Sequence, residues 1–79
     1  MENRYEQRKE AIRAILNSYE FTILSEHENS GGCIFITGAL AFPSFVLKQI
    51  LIYKHVSIGL AVHDDEKCLS VYVLNVGGE

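Results

Sequence analysis

The chain has 79 residues, 48% of them hydrophobic and 22% charged, with a formal net charge of −3. That length excludes more than one domain and leaves a thin stability margin, since so short a chain buries only roughly 60–65% of its unfolded surface. The composition excludes a disordered tail, and seven basic against ten acidic residues argue against the phosphate-neutralising surface that direct nucleic-acid binding requires.

Glu2 to Tyr19 reads as a helix. Tyr5, Ile12, Ile15, Leu16 and Tyr19 recur on one face at helical spacing, with Ala11 beside them. Asn3 with Glu6 three residues on makes a capping-box pattern, with asparagine in the Ser/Thr position. Glu6–Lys9 and Glu10–Arg13 are i,i+3 pairs worth about 0.2–0.5 kcal/mol each. From Glu20 the period changes. Phe21, Ile23 and Leu24 open a β-prone run ending near His27, Glu28–Gly32 is a turn sequence, and Cys33–Thr37 reads as a second strand. Apolar residues of both parities in Cys33–Thr37 predict burial on both faces, and Gly38 marks its exit.

Pro43 suits the first turn of a helix, where its missing N–H costs nothing. Phe45 to Lys54 follows with Leu47, Ile50, Leu51 and Tyr53 at helical spacing. Val46, Ile50 and Ile52 also give this stretch β character, so a long strand is the alternative reading. A helix here packs one face on a sheet and leaves Phe45 or Ile52 on the other, a surface suited to a partner or to self-association.

In the last hairpin Val56, Ile58, Leu60 and Val62 alternate with Ser57, Gly59, Ala61 and His63. Leu69, Val71 and Val73 alternate with Cys68, Ser70, Tyr72 and Leu74. A four-residue turn at Asp64–Lys67 would pair Val62 with Leu69, Leu60 with Val71 and Ile58 with Val73 on one face. The other face then pairs Ala61 with Ser70 and sets the Tyr72 ring over Gly59. Asn75–Glu79 is expected to fray. Its Gly77-Gly78 resembles the di-glycine end of ubiquitin-like carrier proteins in those two residues alone; Glu79 follows them, and an N-terminal helix departs from that family's β-grasp order.

The expected architecture is α+β, one domain over residues 1–79. It is a two-layer α-β-β-α-β-β sandwich whose four-stranded, mostly antiparallel sheet carries both helices on one face. A crossover second helix would set the second and third strands side by side and parallel. The other sheet face, with Tyr72 and Leu74, is left bare.

Chemistry-bearing patterns are few. Gly31, Gly32 and Gly38 do not precede a lysine-bearing helix as a phosphate loop requires, and the carboxylates cluster in turns where burial cannot tune them. His27 with Cys33, and His63 with Cys68, flank the two hairpin loops, a donor set that suits zinc. A crossover helix places those loops at opposite ends of the sheet, roughly 20 Å apart, so neither a metal nor a cofactor is expected. A thiol nucleophile wants an electropositive site, whereas Glu26, Glu28, Asp64 and Asp65 crowd these loops with negative charge, and no catalytic residue is assigned.

Cys33 and Cys68 make no disulfide framework. The charged, helix-patterned N-terminus is not that of a secretion signal. The uncharged run Asn29–Leu47 is broken by three glycines and Pro43, unlike a membrane span. These features predict a reducing, cytoplasmic setting. The functional expectation is a non-enzymatic protein-binding module, an inhibitor or adaptor of the kind phages and mobile elements encode. It would meet a protein partner with a basic surface through Glu26, Glu28, the Asp64-Asp65-Glu66 tip, and Tyr72 with Leu74. The alternatives are a structural homo-oligomer such as a homodimer, and a small Cys/His metal-binding or thiol enzyme.

Overall fold

The structure, a computed structural model, describes residues 4–77, so the Asn3 capping pattern and Gly78 lie outside the described residues. The order is α1 (Arg4–Ser18), β1 (Ile23–Asn29), β2 (Gly32–Thr37), α2 (Ser44–Leu51), β3 (Val56–His63) and β4 (Glu66–Leu74). The strands form one antiparallel sheet in the order β1-β2-β4-β3, and the fold is α+β.

Strand adjacency differs from expectation. β4, not β3, is the neighbour of β2, and the pair is antiparallel. β4 buries residues of both parities, Cys68 and Ser70 on one face and Val71 and Val73 on the other, so it takes an interior place. β3 leaves Leu60 and Val62 in water and takes the edge. Because β2 and β3 each run antiparallel to β4, they run in the same direction one strand apart, and α2 is the crossover between them.

Each break in period has a backbone cause. α1 ends where Glu20 turns left-handed at φ 62°; the Phe21 N–H then donates to the Leu16 carbonyl at 2.9 Å, the i+5 bond of a Schellman stop. Pro43, at φ −58° and ψ 153°, sits at the N-cap of α2, and its carbonyl accepts from the Val46 and Leu47 N–H groups at 3.0 Å each. The helix is shorter than the Phe45–Lys54 pattern. It stops at Leu51, and a left-handed His55 at φ 62° redirects the chain into β3. Tail residue Asn75 is tied down, its N–H donating to the Gly31 carbonyl at 2.9 Å.

The closing hairpin is tighter than the four-residue turn implied. Asp64 and Asp65 both take positive φ, 51° and 66°, making a two-residue turn between the paired His63 and Glu66. Aspartate tolerates this conformation, and the turn's twist matches that of the flanking strands. The register therefore slides by two residues: Val62 faces Lys67, Leu60 faces Leu69 and Ile58 faces Val71. A slide of two keeps every side chain on its face. Gly59 now faces Ser70, and Tyr72 faces Ser57. The Tyr72 ring still covers the glycine diagonally, since a Cβ there would lie 3.3 Å from Tyr72 Cε2.

One cluster holds the fold together. Ile12 and Leu16 of α1 and Val46 and Ile50 of α2 are fully buried with Phe35 of β2 and Val71 and Val73 of β4. The strand members share one parity in the ladder, Cys33 opposite Val73 and Phe35 opposite Val71. Phe42, in the β2–α2 connection, closes one end edge-on against Phe21 with centroids 5.0 Å apart. Phe45, Leu51 and Ile52 are exposed on the outer side of α2.

Candidate functional site

The seven residues singled out from sequence fall in three separate places. Glu26 and Glu28 lie on the helix-facing side of β1, opposite Phe35 and Cys33, beneath a stripe of α1 side chains at four-residue spacing. Tyr5 donates its hydroxyl to Glu28 Oε2 at 2.7 Å, and Lys9 Nζ donates to the same oxygen at 3.0 Å. Arg13 bridges Glu26, at 2.6 Å, and Glu10. Both charges of β1 are thus met within the chain, while the Glu26 and Glu28 side chains stay 42% and 48% exposed.

Asp64, Asp65 and Glu66 form the far tip of the β3–β4 hairpin. Asp64 and Asp65 are exposed, and His63 Nε2 stands 3.5 Å from Asp64 Oδ2. Tyr72 and Leu74 sit at the other end of β4, roughly 25 Å away at strand rise, on the face opposite the buried cluster. There β2 contributes half-buried Ile34 and Ile36, and Tyr72 and Leu74 are 39% and 49% exposed. A shallow depression of ≈ 310 Å³ opens beside them, bounded by His27, Ile34, Tyr72 and Leu74. Its size is at the lower limit for a small-molecule pocket, and its open form suits one inserted side chain of a partner. Farther along this face Ser70 is fully buried, and its hydroxyl has no hydrogen-bond partner among the described residues.

The two Cys/His pairs are held apart by the same topology. β2 begins at the first hairpin loop, β3 ends at the second, and the two strands run in one direction; the loops are at opposite ends of the sheet. Among the described residues no group of three or more His, Cys, Asp or Glu converges. Cys33 faces the core and Cys68 the opposite side, so the two buried, unbonded thiols cannot reach each other. Among the described residues no helix is long and apolar enough to cross a membrane.

Arg8 is a positioning residue that no sequence motif marks. It is buried, and its Nη2 donates to the Leu74 carbonyl at 3.1 Å, pinning α1 to the end of β4 behind the Tyr72–Leu74 patch. Compared with protein-family models, with curated proteins and with solved structures, the chain matches none.

The contact between α1 and β1 makes stability depend on pH. Burial, then the bond to Glu28, raises the Tyr5 phenol above its ordinary 10.0. Burial likewise raises the Cys33 thiol above its ordinary 9.0. Both folded values exceed the unfolded ones, so their contribution is complete at neutral pH. It is lost as pH rises past 9 to 10, where the unfolded chain ionises and the folded chain does not. Glu28 has the opposite sign: hydrogen bonds from Tyr5 and then Lys9 hold it below its ordinary 4.5, so its contribution is present above that pH and fades on acidification. Urea midpoints measured across pH should fall above pH 9, and Tyr5→Phe combined with Cys33→Ala should flatten that alkaline limb. An unchanged limb in the double variant would assign it elsewhere.

Proposed function

We propose that this domain is a non-enzymatic protein-binding module, an inhibitor or adaptor, which docks a protein partner on the sheet face around Tyr72 and Leu74. One observation carries the reading. An aromatic ring and a leucine stand half-exposed beside Ile34 and an open depression, on the face of the sheet opposite the buried cluster. Aromatic anchors next to a receptive concavity are the usual energetic centres of protein interfaces, and truncating one costs about 1–2 kcal/mol or more. The Asp64-Asp65-Glu66 tip is a separate element in this reading. It would attract a basic partner surface and set the rate of encounter more than the affinity. Two buried cysteines that form no disulfide would suit a reducing compartment such as the cytoplasm.

The test compares immobilised wild type with Tyr72→Ala and with the triple variant Asp64→Asn, Asp65→Asn, Glu66→Gln in extracts of the native host. The expected result is a protein retained by wild type and depleted at least about tenfold by Tyr72→Ala. The triple variant should bind it more slowly and with weaker salt dependence. Equal retention by wild type and Tyr72→Ala removes the sheet-face reading.

A further inference from the structure

We propose that two copies of this chain pair through the β3 edge, antiparallel about a two-fold axis, to make one continuous sheet. The two edges of the sheet are unlike. β1 is protected in ways natural edges commonly are, by a bulge at Leu24 and by the charges Glu26 and Glu28. β3, Val56–His63, has no proline, no bulge and no Asp, Glu, Lys or Arg over its eight residues. Its Leu60 and Val62 are 72% and 66% exposed on the helix side, where α2 does not reach.

The backbone specifies a strand as occupant. The two-residue turn makes His63 and Glu66 the bonded pair that closes the hairpin. Counting back in twos, Ala61, Gly59 and Ser57 also bond to β4, and the Leu74 N–H bond to the His55 carbonyl at 2.9 Å continues that series. Val56, Ile58, Leu60 and Val62 therefore turn their N–H and C=O groups outward, a ladder with no partner from β4.

Charge specifies a second copy, and its direction. Lys54 precedes β3, with Arg4 bordering the same depression; Asp64, Asp65 and Glu66 follow it. The eight extended residues of β3 set Lys54 roughly 25 Å from Asp64, about three Debye lengths at physiological salt, so the two ends cannot neutralise each other within one molecule. An antiparallel neighbour brings them together. With the axis at Gly59, Val56 faces Val62 of the second copy, Ile58 faces its Leu60, and Lys54 lies beside its Asp64. All seven uncharged residues from Val56 to Val62 are then paired, and no like charges meet. Such an axis stands perpendicular to the sheet, so each residue keeps its face. The result is a sheet of eight strands with both Tyr72 faces on one side. This pairing stands independently of any partner at Tyr72.

Sedimentation equilibrium from micromolar to millimolar chain should show the mass rising from 8.9 kDa to twice that value. Lys54→Glu should weaken the association at least about tenfold at low salt, with a smaller difference in high salt. Leu60→Pro removes an outward N–H and no hydrogen bond to β4, at the cost of a fixed φ; it should abolish association while β4 amides stay protected. If Leu60→Pro does not fold, Lys54→Glu, outside the strand, carries the same test. Hydrogen exchange at Ile58 and Leu60 should slow as the dimer forms. A strict monomer at millimolar concentration overturns the proposal, and so does a dimer in which these two amides exchange as fast as in the dilute chain.

Discussion

Gly32→Ala is expected to lower stability by about 3 kcal/mol or more, enough to leave much of the protein unfolded in mild denaturant. Gly32 begins β2 at φ 141°, a conformation that costs an L side chain about 1–3 kcal/mol. Space is the larger obstacle: a Cβ there would stand 2.3 Å from the Val73 carbonyl oxygen and 3.0 Å from Leu74 Cα. Both are backbone atoms of β4, and neither can move alone. Cys33 and Phe35 are locked in register with Val73 and Val71, and Asn75 bonds back to Gly31. A domain of this length has about 4–12 kcal/mol in total, so the loss is a large fraction. The adjacent Gly31 is the control. Its Cβ would meet only the Asn29 side-chain oxygen, at 3.2 Å, so Gly31→Ala should stay within about 1 kcal/mol. Thermal melts separate the two, because 1 kcal/mol moves the midpoint by about 4–8 °C in a domain of this size. Equal midpoints for the two variants would contradict so close an approach of β2 to β4.

The two glycines also mark the limit of what the sequence discloses. Gly-Gly is readable as a turn, but which glycine is indispensable depends on β4, a strand some forty residues away. The same holds for the register of the second hairpin. Asp64-Asp65 announces a turn, yet whether two or four residues form it rests on backbone angles that aspartate allows without requiring. Strand order was hidden because β2 has apolar residues of both parities and would suit either neighbour. Alternation in β3 reads as a half-buried strand, and only its exposed Leu60 and Val62 reveal an edge. Pro43 and the spacing of Leu47 and Ile50 locate α2, whereas Val46, Ile50 and Ile52 suit a strand equally well, and only packing against the sheet selects the helix.

The candidate site was legible where parity alone decides and illegible where a bulge intervenes. Tyr72 and Leu74 follow by steps of two from Ser70 and Cys68, so their face could be assigned without coordinates. Glu26 and Glu28 could not. The bulge at Leu24 carries β1 past one position, putting Ile23, Glu26 and Glu28 on the same helix-facing side, where unbroken alternation from Ile23 would have turned both acids away from α1. Arg8 escaped for another reason. It stands three residues after Tyr5 and four before Ile12, within the buried stripe, but a charge is normally discounted there. Its stem can be buried because its guanidinium reaches the Leu74 carbonyl.

Phe35→Ala should be the most damaging truncation in the core, with an expected loss of about 3–5 kcal/mol. The ring is fully buried in β2, with Val71 opposite it on one neighbouring strand and Glu26 on the other. The Arg13 guanidinium lies 5.5 Å from its centroid. Removing the ring deletes the central member of the cluster that joins both helices to the sheet, and it strips Arg13 of an aromatic contact worth about 0.5–1 kcal/mol. Phe35→Leu keeps most of the volume and should cost less than half as much. Phe45→Ala is the informative comparison. That ring is more than half exposed and touches Tyr19 edge-on at 5.4 Å, so its loss should be about 1 kcal/mol or less. Urea midpoints should therefore rank Phe45→Ala, Phe35→Leu and Phe35→Ala in order of growing damage. If Phe45→Ala were as harmful as Phe35→Ala, the outer side of α2 would have to be covered in solution. Repeating the titration at two protein concentrations would identify the cover, because a loss that deepens on concentration belongs to an interface between copies and one that does not belongs to the core.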